Sequence, residues 1–433
     1  MEPYTRTEDA AGIIVRKETR ERIDQIRSAD ILIGIPSYNN ARTIGHVIRA
    51  VQGGLARYFP HRKAVIVNSD GGSTDNTVEI VKNSMIEDFQ SVLLRHRGEP
   101  AITLSVPYHG VPGKGSAFRA IFEMAAALNV QACAVMDADL RSITPEWVEL
   151  LVHPVLQEGF DFVAPLYRRH KYDGTITNSI IYPLTRALYG KRLRQPIGGD
   201  FGFSGRLARF YLREDVWQTD VARYGIDIWM TTEAIANEFK VAQAFLGAKI
   251  HDPKDPGSDL SAMLYQVVGS AFGLMGRYHA LWEGIDGSAD VRTFGFQYEV
   301  GLEQVNVDVD RMLRVFQEGV RNLEDIWNTV IGSGDFGEVR KAAASAGEEF
   351  RLSDELWSRI VYDYALAFHK KKISTEHLLK SLTPLYLGKT ASSVLELRDK
   401  GQHEAEEAVE KLCIEFEKNK DYLVNNWNEG GLP

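Results

Sequence analysis

Cysteine is almost absent from this chain. Cys133 and Cys413 are the only two among 433 residues. That excludes a disulfide scaffold or a cysteine-rich zinc site and fits a reducing compartment. Cys133 sits in an apolar run and is expected in the core. No apolar stretch of about 18 residues occurs, so no segment is expected to span a bilayer. Surplus positive charge is missing too. The formal net charge is -9, which argues against a broad nucleic-acid surface. Met1 to Asp9 are polar and acidic, without the apolar core of a secretory leader, so a cytoplasmic address is expected. Repeats and low-complexity segments are lacking. What remains is an ordinary globular composition, 44% hydrophobic and 25% charged. The length suits about two or three domains with ample core.

Strand and helix patterns alternate through the first 260 residues. Residues 17–28 (KETRERIDQIRS) read as a short charged helix. ILIGIP (Ile31 to Pro36) is a continuous apolar run, as a buried parallel strand requires. Thr43 to Leu55 has a helical pattern, with Ile44, Val47, Ile48 and Val51 on one face. AVIVN (64–68) predicts a second strand, and Thr77 to Lys82 the start of a helix. SVLLRH (91–96) predicts a third strand, Gly115 to Leu128 a helix, and ACAVMDAD the next strand. This is the spacing of βαβ units, so the expected class is α/β with a mostly parallel sheet. From about Asp259 strand signals nearly vanish. Helices are expected at 259–283, 302–328, 353–370, 374–386 and 391–424, with Gly332-Ser333-Gly334 as a connector. The expected division is a helical extension at 1–29, an α/β catalytic domain at 30–260 and a helical C-terminal domain at 261–433.

Ligands of open α/β sheets bind beyond the carboxyl ends of the strands, and four polar segments fall there. Pro36-Ser37-Tyr38-Asn39-Asn40 ends a strand in a loop that can present backbone groups to a base or ribose. Asp70-Gly71-Gly72-Ser73-Thr74-Asp75-Asn76-Thr77 has glycines that permit close approach to a ligand. Asp70 is expected to be free for a nucleobase or sugar, and Asp75 to cap the following helix. Pro112-Gly113-Lys114-Gly115 offers a mobile, exposed lysine at a helix N-terminus, a candidate phosphate contact. It lacks the spacing of a P-loop. Asp137-Ala138-Asp139 ends an apolar strand. Carboxylates two positions apart on an extended segment point to one side and can hold a hard divalent cation against a diphosphate.

The succession PSYNN, DGGSTDNT, PGKG and DAD resembles the GT-A fold of nucleotide-sugar glycosyltransferases. Within that group it resembles the retaining glucosyl-3-phosphoglycerate synthases and the mannosylglycerate and glucosylglycerate synthases. Leu166-Tyr167-Arg168-Arg169, Gln195-Pro196-Ile197-Gly198-Gly199-Asp200, Tyr224-Gly225-Ile226-Asp227 and His251 continue the likeness, which spans about residues 30 to 260. The helical tail is similar only in patches such as Leu356-Trp357-Ser358-Arg359.

The resemblance implies a metal-dependent hexosyltransferase. Asp139 and His251 would bind Mg²⁺ or Mn²⁺. Asp137 would contact the donor ribose or sugar, or a group ligating the metal, and Lys114 would neutralise the diphosphate. Pro36, Tyr38, Asn40 and Asp70 would hold the nucleoside, with Gly113 and Ala138 lining the donor. Gly199 and Asp200 would meet the hexose, and Asp227 would lie near the anomeric carbon or the acceptor hydroxyl. Tyr167, Arg168, Thr175, Thr177 and Lys254 would line the acceptor site. Phosphoglycerate-using relatives carry an arginine where Thr175 stands, and a threonine cannot form a bidentate phosphate clamp. Glycerate or a similar small hydroxy acid is therefore expected ahead of 3-phosphoglycerate, giving a compatible solute such as glucosylglycerate or mannosylglycerate. The donor is expected to be UDP-glucose or GDP-mannose, and the apolar tail helices suit a homodimer. A lipid-phosphate or polysaccharide acceptor, and a non-catalytic nucleotide-sugar binding module, are the competing readings. Ile331 to Val339 imitates a kinase glycine loop with Asp-Phe-Gly, but the other kinase motifs are missing and a loop between helices is expected.

Overall fold

The computed structural model describes residues 17–84, 101–107, 113–251, 260–345 and 347–428. The chain divides into two compact units. Unit 1 takes the residues up to 164 together with 199–223 and 239–246, and unit 2 takes 165–198, 224–238 and the chain from 247.

The strands are β1 (Ile31–Ser37), β2 (Ala64–Asp70), β3 (Ile102–Pro107), β4 (Ala132–Val135), β5 (Phe162–Arg168), β6 (Lys191–Arg192), β7 (Phe201–Ser204), β8 (Val241–Ala248), β9 (Ala289–Asp290) and β10 (Thr293–Phe294). Eight of them form one sheet in the order β10-β8-β5-β7-β4-β1-β2-β3. β1 is parallel to both β2 and β4, and β2 is parallel to β3. β7 runs antiparallel to β4 and β5. The class is α/β, as the alternation predicts.

The central strands form where apolar runs are continuous. Ile31, Leu32, Ile33 and Ile35 of β1 are fully buried, as are Val65, Ile66 and Val67 of β2. Helix Ile44–Tyr58 buries Ile44, Val47, Ile48 and Val51, the face that its periodicity marks. Helix Lys114–Ala127 also lies where it is expected. The expected strand at 91–96 lies outside the described residues. β3 was not anticipated.

From Leu260 onward the described chain is helical apart from β9 and β10. Several expectations fail there: the helix expected at 391–424 is broken between Leu397 and Gln402 and again at Asn419, and the one expected at 302–328 begins at Val309 and is broken at Leu323. Thr375–Leu397 is one continuous helix rather than two. It runs through Gly388, where an added Cβ would lie 2.5 Å from the Phe316 ring. The glycine is a packing notch, and the burial it permits outweighs its weak helix propensity. The kinase-like segment is helix Ser333–Ala344 rather than a loop. Phe336 is buried in it, and the Arg359 guanidinium grips Asp335 with two hydrogen bonds of 2.8 and 2.9 Å.

Within unit 2, segment 165–198 is built into the helical region. Trp357 donates its indole N–H to the Ser179 carbonyl at 2.7 Å. The buried Arg186 pairs with Glu410 and, at 2.9 Å, with Glu417. The Lys171 ammonium donates to the carbonyls of Leu397, Arg398 and Lys400, closing the end of helix Thr375–Leu397.

Candidate active site

In unit 1 the loops after β1 and β2 are laced together. Asn39 adopts a positive φ of 54°, a conformation asparagine tolerates. Its backbone N–H donates to Ser73 Oγ at 2.9 Å, and its side-chain oxygen accepts the Thr74 N–H at 2.9 Å. Asn40 N–H donates to Thr77 Oγ1 at 2.8 Å, and Ala41 N–H donates to Asp75 at 3.0 Å. Asp75 also accepts the Thr77 N–H and hydroxyl, so it caps the helix from 77, as expected. The Thr77 hydroxyl bond is the largest of the contacts holding its carboxyl below the usual carboxylate range. Tyr38 itself is 60% exposed, and its ring is a flat face of the kind a nucleobase can stack on.

Asp70 is not free. Its carboxylate accepts from Ser37 Oγ (3.1 Å), Gly72 N (2.9 Å), Ser73 N (2.9 Å) and Ser73 Oγ (2.6 Å). A carboxylate has about four acceptor sites, so in this conformation Asp70 shapes the loop and is committed to no ligand. Pro36 sits one residue before the end of β1.

Lys114 is not left reaching into solvent either. Its ammonium lies 3.0 Å from Asp137 Oδ1 and 5.2 Å from the centre of the Phe118 ring. The flanking glycines serve close approach. A Cβ on Gly115 would lie 2.0 Å from the Val221 carbonyl oxygen, and one on Gly113 would lie 2.6 Å from that of Ala222. Gly115 N–H donates to the Arg223 carbonyl at 3.2 Å, fixing the start of the helix against residues 221–223.

β4 ends at Val135, and Ala138 and Asp139 lie in a turn beyond it. An extended alternation is therefore not what presents the two carboxylates. The turn is anchored from two sides. Asp137 N–H donates to Asp200 Oδ1 at 2.8 Å, and Thr43 Oγ1 donates to the Ala138 carbonyl at 2.7 Å. Asp200 is fully buried, and Gly199 before it has φ +90°. Thus Asp200 holds the acidic turn in shape, a role its sequence position did not disclose.

Among the described residues no three His, Cys, Asp or Glu side chains cluster as a ready metal site. The donor set still suits a hard divalent ion. Asp137 and Asp139 supply oxygen ligands on one turn, and the Lys114 ammonium against Asp137 shows that this turn draws positive charge.

In unit 2, Tyr167 is buried on β5, and its carbonyl accepts from Gln195 Nε2 at 3.2 Å. Arg168 O accepts the Lys249 N–H at 3.4 Å. The buried Lys249 ammonium donates to the Gly198 carbonyl at 2.8 Å and lies 5.1 Å from the Tyr167 ring centre. Lys249 therefore tethers the Gly198 turn, and sequence reading missed it. Thr175 shares a hydrogen bond with the Tyr386 hydroxyl, and Thr177 opens a π-helical turn at Thr177–Ile181. Asp227 is buried in the first turn of helix Ile226–Ala236, where the helix dipole favours a carboxylate. His251 lies just beyond β8. Asp173, also missed, interacts with it. Burial, the largest influence, works against ionisation of Asp173, but the nearby Arg169 and His251 together with hydrogen bonds from the Gly174 amide and Arg169 hold the carboxyl below its usual range. Lys254 lies outside the described residues.

Residues 32–218 match the family model described as Glycosyl transferase family 2. No curated protein matches significantly. Among solved structures, the chain is similar to glucosyl-3-phosphoglycerate synthase from Mycobacterium tuberculosis in complex with Mn²⁺, UDP and phosphoglyceric acid. The identity is 24%, over 59% of this chain and 82% of that one, with a TM-score of 0.42. The same enzyme with Mg²⁺ and UDP gives 24% identity over 59% and 83%, with a TM-score of 0.43. Its complex with Mn²⁺, UDP and glucosyl-3-phosphoglycerate gives 23% over 63% and 87%, with a TM-score of 0.43.

Proposed function

We propose that this chain, whose residues 32–218 match the Glycosyl transferase family 2 model, acts on nucleotide sugars and moves a glucosyl or mannosyl group to a small hydroxy acid. The anomeric configuration is retained in this reading. The observation that carries it is the acidic turn after β4, buttressed by Asp200 and Thr43 and paired through Asp137 with Lys114. That is a fixed cluster of charge at a strand end, where a diphosphate leaving group needs both a cation and shape.

In the proposed roles Tyr38 stacks on the base, while Pro36, Asn40 and the loop shaped by Asp70 bracket the nucleoside. Lys114 turns from Asp137 to the diphosphate, with Gly113 and Ala138 beside it. In this reading Asp139 and His251 would hold Mg²⁺ or Mn²⁺, which would supply positive charge to the diphosphate. Asp137 and Asp200 orient the sugar beside Gly199, and Asp227 lies near the reacting carbon. Tyr167, Arg168, Thr175, Thr177 and Lys254 receive the acceptor. The bond from the anomeric carbon to the diphosphate oxygen breaks, the acceptor hydroxyl oxygen bonds to that carbon, and its proton passes to the leaving phosphate.

The test is incubation with a panel of nucleotide sugars, glycerate and 3-phosphoglycerate with Mn²⁺, read by mass spectrometry and repeated with Asp139→Ala and His251→Ala. A hexosyl-acid product that disappears in both variants supports the reading. Equal donor turnover by native protein and Asp139→Ala would overturn the metal assignment. Transfer to lipid phosphate alone would overturn the acceptor class.

A further inference from the structure

Helix Ile226–Ala236 carries Asp227 in its first turn, and residues 226–234 are buried throughout. An amphipathic helix is oriented by its apolar stripe. A helix buried on every side has no such stripe, so polar anchors must set its rotation and its position along its axis. Such anchors stand along it within unit 2. Before the helix, the Tyr224 N–H donates to Gln266 Oε1 at 3.2 Å. Near its end, the fully buried Glu233 accepts the Tyr278 hydroxyl at 2.6 Å and pairs with Arg277 at 3.2 Å. Between them, the fully buried Thr231 donates its hydroxyl to the Pro196 carbonyl at 2.6 Å.

The Thr231 anchor differs in kind from the other two. A threonine inside a helix can give its one hydroxyl proton to the carbonyl four residues earlier, which here belongs to Asp227. Thr231 gives it to Pro196 instead. Residues i and i+4 share a helix face, so Thr231 and Asp227 lie on one face, about 6 Å apart along the axis. The face that carries Asp227 is thus bonded to the Gln195–Gly198 turn. That turn is also gripped elsewhere. The buried Lys249 ammonium donates to the Gly198 carbonyl at 2.8 Å, and Gln195 Nε2 donates to the Tyr167 carbonyl at 3.2 Å. A Cβ on Gly198 would lie 2.2 Å from Pro165 Cγ, so the turn sits hard against β5.

We propose that Thr231 and Lys249 are positioning residues, which fix the Pro196–Gly198 turn relative to Asp227. The assignment rests on the reading above, in which the hexose lies beside this turn and Asp227 lies near the reacting carbon. Misplacing a reacting group by about 1 Å can cost about a hundredfold in rate. Donor affinity in that reading comes from the nucleoside and diphosphate, held by other residues. Loss of either anchor should therefore lower kcat and leave the donor KM nearly unchanged.

Steady-state kinetics of the full chain tests this, with UDP-glucose or GDP-mannose as donor, glycerate or 3-phosphoglycerate as acceptor, and Mn²⁺ present. Thr231→Val keeps the side chain's shape and removes its proton. It is expected to lower kcat about tenfold to a hundredfold, and Thr231→Ser to recover most of that loss. In an Asp227→Ala background, adding Thr231→Val should cost little more, because residues acting as one unit are not additive. Lys249→Met makes the same test from the other end of the turn should Thr231→Val misfold. An unchanged kcat in both variants, a change confined to donor KM, or a loss that adds in full to that of Asp227→Ala would each overturn the assignment and leave the transferase reading standing. A native protein that transfers no hexose to either acceptor would sink that reading, and this assignment with it.

Discussion

Replacing Asp70 by alanine isolates the part of the donor loop that the structure explains most completely. Four donors lose their acceptor at once: two backbone amides and two hydroxyls. They are not equivalent. Gly72 is exposed and Ser73 half-buried, so water can replace the carboxylate there. Ser37 is only 5% exposed. Its hydroxyl already accepts from Asn68 Nδ2 at 2.8 Å and would be left without a partner for its own proton. A buried donor in that state costs about 1–3 kcal/mol, which sets the expected loss of stability. The amides report locally. A hydrogen bond to a charged acceptor is worth about 1.5–3 kcal/mol, and about 1.4 kcal/mol is tenfold in an equilibrium. Hydrogen exchange at Gly72 and Ser73 should therefore accelerate about tenfold to a hundredfold. The Asn40 amide, held by Thr77, should hardly change. Exchange mass spectrometry over peptides covering 37–41 and 71–77, with urea unfolding alongside, reads both. If the 71–77 peptide exchanges at its native rate and the unfolding midpoint stays put, Asp70 does not organise this loop.

Lys114→Met should lower the turnover number for hexose transfer about 10²–10³-fold, the scale for removing one group that stabilises developing charge, with a smaller change in donor KM. Steady-state kinetics checks it, and an unchanged turnover number would remove Lys114 from the reaction. Gly115→Ala should cost more than about 1–3 kcal/mol of overpacking, because its Cβ meets backbone rather than a side chain that can swing away; thermal denaturation measures this. Asp363 gives a pH signature. Burial, the main cause, pushes its carboxyl up to about 6, partly opposed by the Tyr422 hydroxyl and the Gly332 amide that donate to it. Between about pH 4 and 6 the folded state then binds more protons than the unfolded one, so stability falls as pH rises through that window and levels off above it. Asp363→Asn should flatten that slope and raise stability at pH 7 by up to about 3 kcal/mol; unfolding midpoints at pH 4, 5, 6 and 7 decide it.

Much of unit 1 was legible because a strand buried on both faces needs a continuous apolar run. ILIGIP and AVIVN satisfy that with few alternatives. The polar segments at strand ends were equally visible, because a sheet of this kind leaves polar groups there for a reason. What each side chain does was less visible. Asp70 and Lys114 were expected to reach outward, yet a saturated carboxylate and a lysine paired at 3.0 Å look inward. Partners supplied by residues far along the chain decide that, and local sequence does not carry them. Asp173 and Lys249 stand in no motif, and only their contacts distinguish them. The helices at Ser333–Ala344 and across Gly388 escaped for a related reason. Their glycines signal a break locally, while Phe336 burial and the Phe316 ring hold the helix together from elsewhere.

The chain leaves one unit for the other after residues 164, 198, 223, 238 and 246. During synthesis, segment 165–198 therefore emerges long before Glu410, Glu417 and Trp357, the residues that neutralise Arg186 and cover Ser179. Until those arrive, Arg186 has neither carboxylate and the apolar residues around it have no cover. A product truncated near residue 260 would leave that buried cation uncompensated, which is costly, so segment 165–198 is expected to stay unfolded in it and to form only once the C-terminal helices are made.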